Sequence, residues 1–155
     1  QLNDKHGANE LTREYNALAN RVDTSLKLDI FATAIGDPVP YLTPYIAVHA
    51  DSNRHVDKTK GRLLYFANDA GYVSHVAIIA PTRKEAVSMA VLMTLAITDS
   101  GNTATGKDLN MFFKVCDASF SEQRFLERKS GNERVYVYEG SVKDGWYEIV
   151  IQAFR

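Results

Sequence analysis

The sequence predicts an α+β fold in which an antiparallel sheet, mostly a meander, packs against a buried helix. Strand-like segments follow one another with short connections, and they do not alternate one for one with helical segments. Residues 83–98 are apolar on nearly every side, as expected of a buried helix. An N-terminal amphipathic helix and a C-terminal β-hairpin complete the architecture. The 155 residues suffice for one core, so we predict a single domain over 1–155, with 1–8 as a loose tail.

The first predicted element is a helix over residues 9–22. Leu11, Tyr15, Leu18 and Val22 recur at helical spacing, which places these four side chains on one buried stripe. Charged and amide side chains occupy the rest of the helix surface, so the helix is amphipathic and lies at the surface of the domain.

Two predicted strands follow this helix. Leu26, Leu28 and Ile30 alternate with charged residues, as in a half-buried strand, and the glycine and prolines of residues 36–40 end that strand. The second strand resumes within residues 41–50.

The middle of the chain predicts a hairpin and then the buried helix. Residues 62–67 and 72–80 are strand-like, and a glycine-containing turn joins them. Thr82 is an N-cap for the helix over 83–98, and Glu85, three residues later, forms a capping box with it.

A shorter helix is predicted after the glycine- and threonine-rich connection. This helix covers residues 105–117, and its apolar pattern consists of Leu109, Phe112, Phe113 and Cys116. Cys116 therefore reads as a small buried hydrophobic residue. As the single cysteine it can form no intramolecular disulfide, and it cannot build a cysteine metal site.

Three strands end the chain. They cover residues 124–129, 134–143 and 146–154, and Asp144-Gly145 between the last two is the strongest hairpin signal in the sequence. Val135 and Val137 share one face of the middle strand.

Composition excludes several classes of function. The net charge of −1 gives no basis for binding nucleic acid or an anionic membrane. No run of 18 apolar residues is present, so we predict no membrane span. The chain begins at Gln1, as a mature protein after loss of a signal peptide does, although a fragment cut at a domain edge also fits. We expect a bacterial, extracytoplasmic protein, secreted or periplasmic.

The stretch "HADSNRHVD" holds the most unusual residue pattern. Strand-like alternation places His49, Asp51, Asn53, His55 and Asp57 on one side of the chain, where they could bind a metal or a polar ligand. The alternative is a long solvated hairpin loop, since the interleaved basic residues oppose a cation and the calcium-loop pattern fails at its glycine and glutamate positions. We predict no bound metal and no cofactor, and keep these five as binding candidates.

Four further residues are candidates for binding. His75 lies on the strand over 72–80, and if Val73, Ala77 and Ile79 face the core then His75 does too. There it is either a hydrogen-bonded core histidine or part of a pocket. The aromatic hairpin adds three candidates, which either pair across strands or form a protein-binding patch. These three are Tyr136, Tyr138 and Trp146.

No catalytic motif is present, so we predict a non-enzymatic binding domain that recognises a protein partner, as an inhibitor, immunity-type protein or adaptor does. The alternative is a ligand-binding or hydrolytic pocket between the sheet and the helix over 83–98, using His49 and His75. Either a monomer or a homodimer fits the sequence, and a second subunit could cover the apolar helix.

Overall fold

A computed structural model describes residue 2 and residues 8–27, 34–35, 45–48, 61–67, 73–128 and 134–154. Its helices confirm the predicted α+β class. They are α1 (Ala8–Val22), α2 (Arg83–Ile97) and α3 (Gly106–Ala118), with a 3-10 turn at Thr24–Leu26.

The strands described in this chain form one antiparallel sheet in the order β1-β2-β3-β4-β7-β6-β5. Strands β1 to β4 pair in sequence order as one meander, and β5 to β7 pair in sequence order as a second. The pairing of β4 with β7 joins the two meanders. The strands are β1 (Ala34–Ile35), β2 (Tyr45–Val48), β3 (Arg62–Ala67), β4 (Val73–Ala80), β5 (Arg124–Arg128), β6 (Arg134–Lys143) and β7 (Trp146–Phe154).

The three described helices lie on one face of the sheet. Helix α2 packs against β4 and β7, α3 packs against β5 and β6, and α1 packs against α2. Tyr65, Val76, Ile78, Ile149 and Ile151 point toward the helices and are fully buried. Burying each large aliphatic side chain of this kind contributes about 1.5–3 kcal/mol, so this layer supplies much of the folding free energy.

Helix α2 is covered within the chain itself. Ten of its fifteen residues are buried, between the sheet and the helices α1 and α3. A second subunit is therefore not needed to cover the apolar surface of this helix.

Helix α1 differs from its predicted stripe at one end. Leu11, Tyr15 and Leu18 are buried as predicted, but Val22 is 71% exposed. The helix ends at Val22, and the following 3-10 turn brings Leu26 into the core, where its carbonyl accepts a hydrogen bond of 3.0 Å from the Tyr15 hydroxyl.

The predicted strand that begins at Leu26 is wrong at its start. Leu26 belongs to the 3-10 turn, which Asp23 caps by accepting hydrogen bonds from the backbone and the hydroxyl of Ser25. Strand β1 covers only Ala34–Ile35, and residues 28–33 lie outside the described residues.

In helix α3 the apolar pattern is only half buried. Phe112 and Cys116 face the core, whereas Leu109 and Phe113 are 40% and 50% exposed. The helix meets the sheet along a single stripe, so the side chains beside that stripe remain at the surface. Burial raises the pKa of the Cys116 thiol to about 12, as expected of a small buried hydrophobic residue.

Leu2, a described residue of the predicted loose tail, is anchored to the sheet. Its side chain is fully buried, its N–H donates to the carbonyl of Val73 at 2.8 Å, and its carbonyl accepts a hydrogen bond from Tyr136 at 3.1 Å. The buried apolar side chain and two hydrogen bonds hold this point of the chain against the sheet.

The N-terminal caps of α2 and α3 lie where the sequence predicts them, but the predicted two-way capping box of α2 does not form. The Thr82 hydroxyl accepts from the Glu85 N–H at 3.1 Å, but the Glu85 carboxylate accepts from the Gly61 N–H. The two-way capping box forms at α3, between Thr105 and Asp108.

Candidate functional site

The sheet face opposite the helices is the candidate functional surface, and we call it the open face. Strand pairing places alternate side chains of β3 to β7 on it. They are Arg62, Leu64, Phe66, His75, Ala77, Ile79, Phe125, Glu127, Val135, Val137, Glu139, Ser141, Lys143, Trp146, Glu148, Val150, Gln152 and Phe154.

His75 lies on the open face and not toward α2. The pairing shifts by one residue between Phe66 and Ala67 of β3, so that Ser74 is an extra residue on β4. Because of this bulge Val73 faces the core while His75 faces the other side, and the expectation that the two residues share a face is wrong. His75 therefore does not line the space between the sheet and α2.

The surroundings of His75 favour its neutral form. Its ring stacks on Phe66, and its Nδ1 lies 3.0 Å from the oxygen of the Ser74 hydroxyl, whose proton is donated to the Phe66 carbonyl at 2.8 Å. Partial burial lowers the pKa of His75 below its usual 6.5. These contacts hold the His75 ring in place within the sheet. Among the described residues, no carboxylate is hydrogen-bonded to this ring.

Residues 49 to 57 lie outside the described residues. The assignments of His49, Asp51, Asn53, His55 and Asp57 as binding residues therefore stay predictions.

Tyr136 and Tyr138 face the helices and are buried there, and their role as contact residues for a partner stays a prediction. They are 3% and 1% exposed. The Tyr138 hydroxyl lies 2.8 Å from the hydroxyl of Thr94, which donates to the Ala90 carbonyl, and so joins β6 to α2. These tyrosines satisfy their hydroxyl groups inside the core, as buried tyrosines usually do.

Trp146 is the one aromatic residue of the predicted hairpin group that lies on the open face. It is half-buried, and the guanidinium carbon of Arg62 lies 5.2 Å from the centroid of its ring. Tyr147 points to the helix side instead, where it meets Phe120 edge to face. The aromatic residues of the hairpin therefore divide between two faces, as the alternation of a strand requires.

Sequence reasoning missed an exposed hydrophobic patch on the open face, which we call the apolar corner. Its exposed members are Phe125 of β5 and Phe154 of β7, and on β6 between them lie half-buried Val135 and buried Val137. Phe125 lies opposite Val137, and Val135 lies opposite Phe154. The two phenylalanines are 59% and 55% exposed. A large phenylalanine between the charged residues of "QRFLER" was the available signal, but only the strand order shows that Phe125 and Phe154 share a sheet face, on the two strands that flank β6.

The open face also carries charged side chains of opposite sign around buried Ile79. Arg62 and Glu148 flank Ile79 on neighbouring strands. Burial lowers the pKa of Arg62, and the charge of Glu148 partly offsets this effect. An apolar centre with a charged rim is the usual composition of a protein-binding surface.

A surface cleft of about 160 Å³ lies between α1 and the C-terminal end of α2. Arg21 spans part of it and donates hydrogen bonds to the Asn102 side chain at 3.1 Å and to the Gly101 carbonyl at 3.2 Å. None of the predicted binding residues is among its described lining residues.

Other classes of site receive no support from the described part of the chain. Its histidine, cysteine, aspartate and glutamate residues form no group of three that could hold a metal ion. Among its helices, none has the length and apolar character needed to cross a membrane. Comparison with family models, curated proteins and solved structures finds no match to this chain.

Proposed function

We propose that the protein is a non-enzymatic binding domain that recognises a protein partner through the open face of its sheet. The observation that carries this proposal is the apolar corner, where Phe125 and Phe154 expose more than half of their side chains. Exposed apolar patches on a folded domain often mark surfaces that bind another protein or a ligand.

The composition of the open face supports a protein partner. It carries charged side chains of both signs. Arg62 and Lys143 are basic, and the acidic residues are Glu127, Glu139 and Glu148. A nucleic acid requires a basic surface, whereas protein partners match mixed charges around an apolar centre.

A pair of matched variants tests this function. Phe154→Asp places a charge in the apolar corner, and Val22→Asp makes a comparable change at an exposed valine on α1. Both side chains are exposed, so we expect both variants to fold with thermal midpoints near that of the wild type.

The measurement is quantitative affinity capture from an extract of the source cells, with wild type and both variants immobilised at equal density. The proposal predicts at least one protein that wild type and Val22→Asp retain and that Phe154→Asp loses by roughly tenfold or more. Equal retention by folded Phe154→Asp would remove the open face as the binding surface.

A further inference from the structure

The surface cleft between α1 and the C-terminal end of α2 lies in the helix layer, on the side of the sheet opposite the open face. Pockets for drug-sized ligands measure about 300–1,000 Å³. This cleft measures about 160 Å³, the space of roughly five water molecules. It therefore suits a small molecule of about the size of an amino acid.

The base of the cleft is apolar. Leu18 of α1 and Leu95 and Ala96 of α2 line it, and all three are buried. Gly101, in the turn after α2, allows that turn to approach α1 closely, because a Cβ atom there would lie 2.8 Å from Cδ2 of Leu18. The base therefore suits an aliphatic group of a ligand, which gains free energy by leaving water there.

Arg21 is placed to bind a carboxylate at the cleft. Its guanidinium group donates hydrogen bonds to the Asn102 side chain at 3.1 Å and to the Gly101 carbonyl at 3.2 Å. These two bonds orient the group, and an arginine has five N–H donors, so others remain for a ligand. The planar guanidinium matches the two oxygens of a carboxylate.

The other charged residues that line the cleft are acidic. Asp99 follows the C-terminal end of α2 with a φ of 53°, and Glu14 contributes a second carboxylate from α1. The C-terminal end of a helix carries a partial negative charge, which also favours a cation there. Asp99 is two residues before Gly101, which accepts the hydrogen bond from Arg21. Acidic and basic groups therefore meet at the same end of α2.

We propose that this cleft binds a free amino acid with an aliphatic side chain. The ligand carboxylate binds Arg21, its ammonium group binds the acidic side formed by Asp99 and Glu14, and its side chain lies on the apolar base. Arg21 repels a simple cation and the two carboxylates repel a simple anion, whereas a molecule with both charges is attracted by all three residues. This site does not depend on the proposed function of the open face.

Titration of the whole isotope-labelled chain with L-leucine, followed by the NMR shifts of its backbone N–H groups, tests the site. The proposal predicts saturable shifts at residues that line the cleft. Two analogues separate the contacts, since 3-methylbutylamine lacks the carboxylate and 4-methylpentanoate lacks the ammonium group. We expect each analogue to bind roughly tenfold or more weakly than L-leucine.

Matched variants test the residues. Arg21→Gln removes the basic charge of the cleft, and Arg13→Gln removes the same charge from an exposed position of α1 outside the described lining. We expect Arg21→Gln to raise the dissociation constant for L-leucine roughly tenfold or more, and Arg13→Gln to leave it within about twofold. Asp99→Asn removes an acidic charge but keeps a residue type that tolerates a positive φ, and we expect it to raise the constant roughly fivefold or more.

Three results would overturn the proposal. The first is a lack of saturable shifts at the cleft with about 10 mM L-leucine. The second is binding that both Arg21→Gln and Asp99→Asn leave unchanged. The third is an analogue that binds as tightly as L-leucine, since one of the two charged contacts would then be absent.

The two proposals fail separately. Phe154 lies across the sheet from the cleft, so we expect Phe154→Asp to leave L-leucine binding unchanged. Conversely, partner capture that Phe154→Asp does not reduce has no bearing on the titration.

Discussion

Phe66 and His75 stack face to face, with ring centroids 4.2 Å apart and ring planes 11° from parallel. They are directly paired on neighbouring strands, immediately beside the bulge at Ser74. The bulge turns His75 away from the helices, and the stacked phenylalanine ring shields one side of the imidazole from water.

This contact predicts a pH-dependent stability that originates from His75. Because burial lowers the pKa of folded His75 below 6.5, the unfolded chain takes up the proton first as pH falls. The stability from His75 is thus fully present above the unfolded pKa and is lost as pH falls from there through the lower pKa of the folded state. We expect His75→Gln to lose less stability than wild type between about pH 7.5 and about pH 5.5, measured by urea unfolding. Identical pH dependence in the two proteins would contradict this role of His75.

The hydrogen bond between Tyr138 and Thr94 predicts a graded loss of stability. Tyr138→Phe removes only the hydroxyl, and Thr94 keeps its bond to the Ala90 carbonyl, so we expect a cost of about 1 kcal/mol. Tyr138→Ala also empties a fully buried site between β6 and α2, which costs about 3–5 kcal/mol. Denaturant unfolding measures both free energies, and equal losses in the two variants would show that the ring contributes nothing to packing.

Two glycines predict opposite effects of the same substitution. A Cβ atom at Gly140 would lie 2.9 Å from the backbone nitrogen of Phe120, whereas one at Gly106 meets nothing within 4 Å. We expect Gly140→Ala to destabilise the fold by about 1–3 kcal/mol, because β6 and the chain after α3 must separate. Gly106→Ala is expected to be neutral or to stabilise by up to about 1 kcal/mol. Thermal unfolding of the pair checks this, and a harmless Gly140→Ala would refute the close approach.

Local sequence patterns were sufficient to predict much of the fold. Strand β3 has the bounds predicted for residues 62–67, and α2 and the final hairpin follow their periodicity and turn residues closely. Asp144 and Gly145 have φ angles of 50° and 79°, which is the backbone that an Asp-Gly hairpin turn requires. Signals of this kind act between neighbours in sequence, so one chain is enough to read them.

The candidate site could not be predicted in the same way, because it depends on which sheet face the helices cover. Alternation separates Tyr138 from Val137, yet both faces of β6 carry apolar residues, and only the packing of α2 and α3 makes the tyrosine side interior. The orientation of His75 depends on one extra residue at Ser74, which no periodicity reveals. The apolar corner also needs the strand order, since Phe125 and Phe154 are 29 positions apart in the sequence.

Photo-cross-linking from inside the cell tests the binding role of the open face most directly. A benzophenone amino acid replaces Phe154 in one protein and Val22 in a control, since both positions are exposed. A partner bound to the open face gives a discrete covalent adduct with one protein from position 154 and none from position 22. Adducts of equal yield from both positions, or an adduct from position 22 alone, would contradict the open face as the surface that binds the partner.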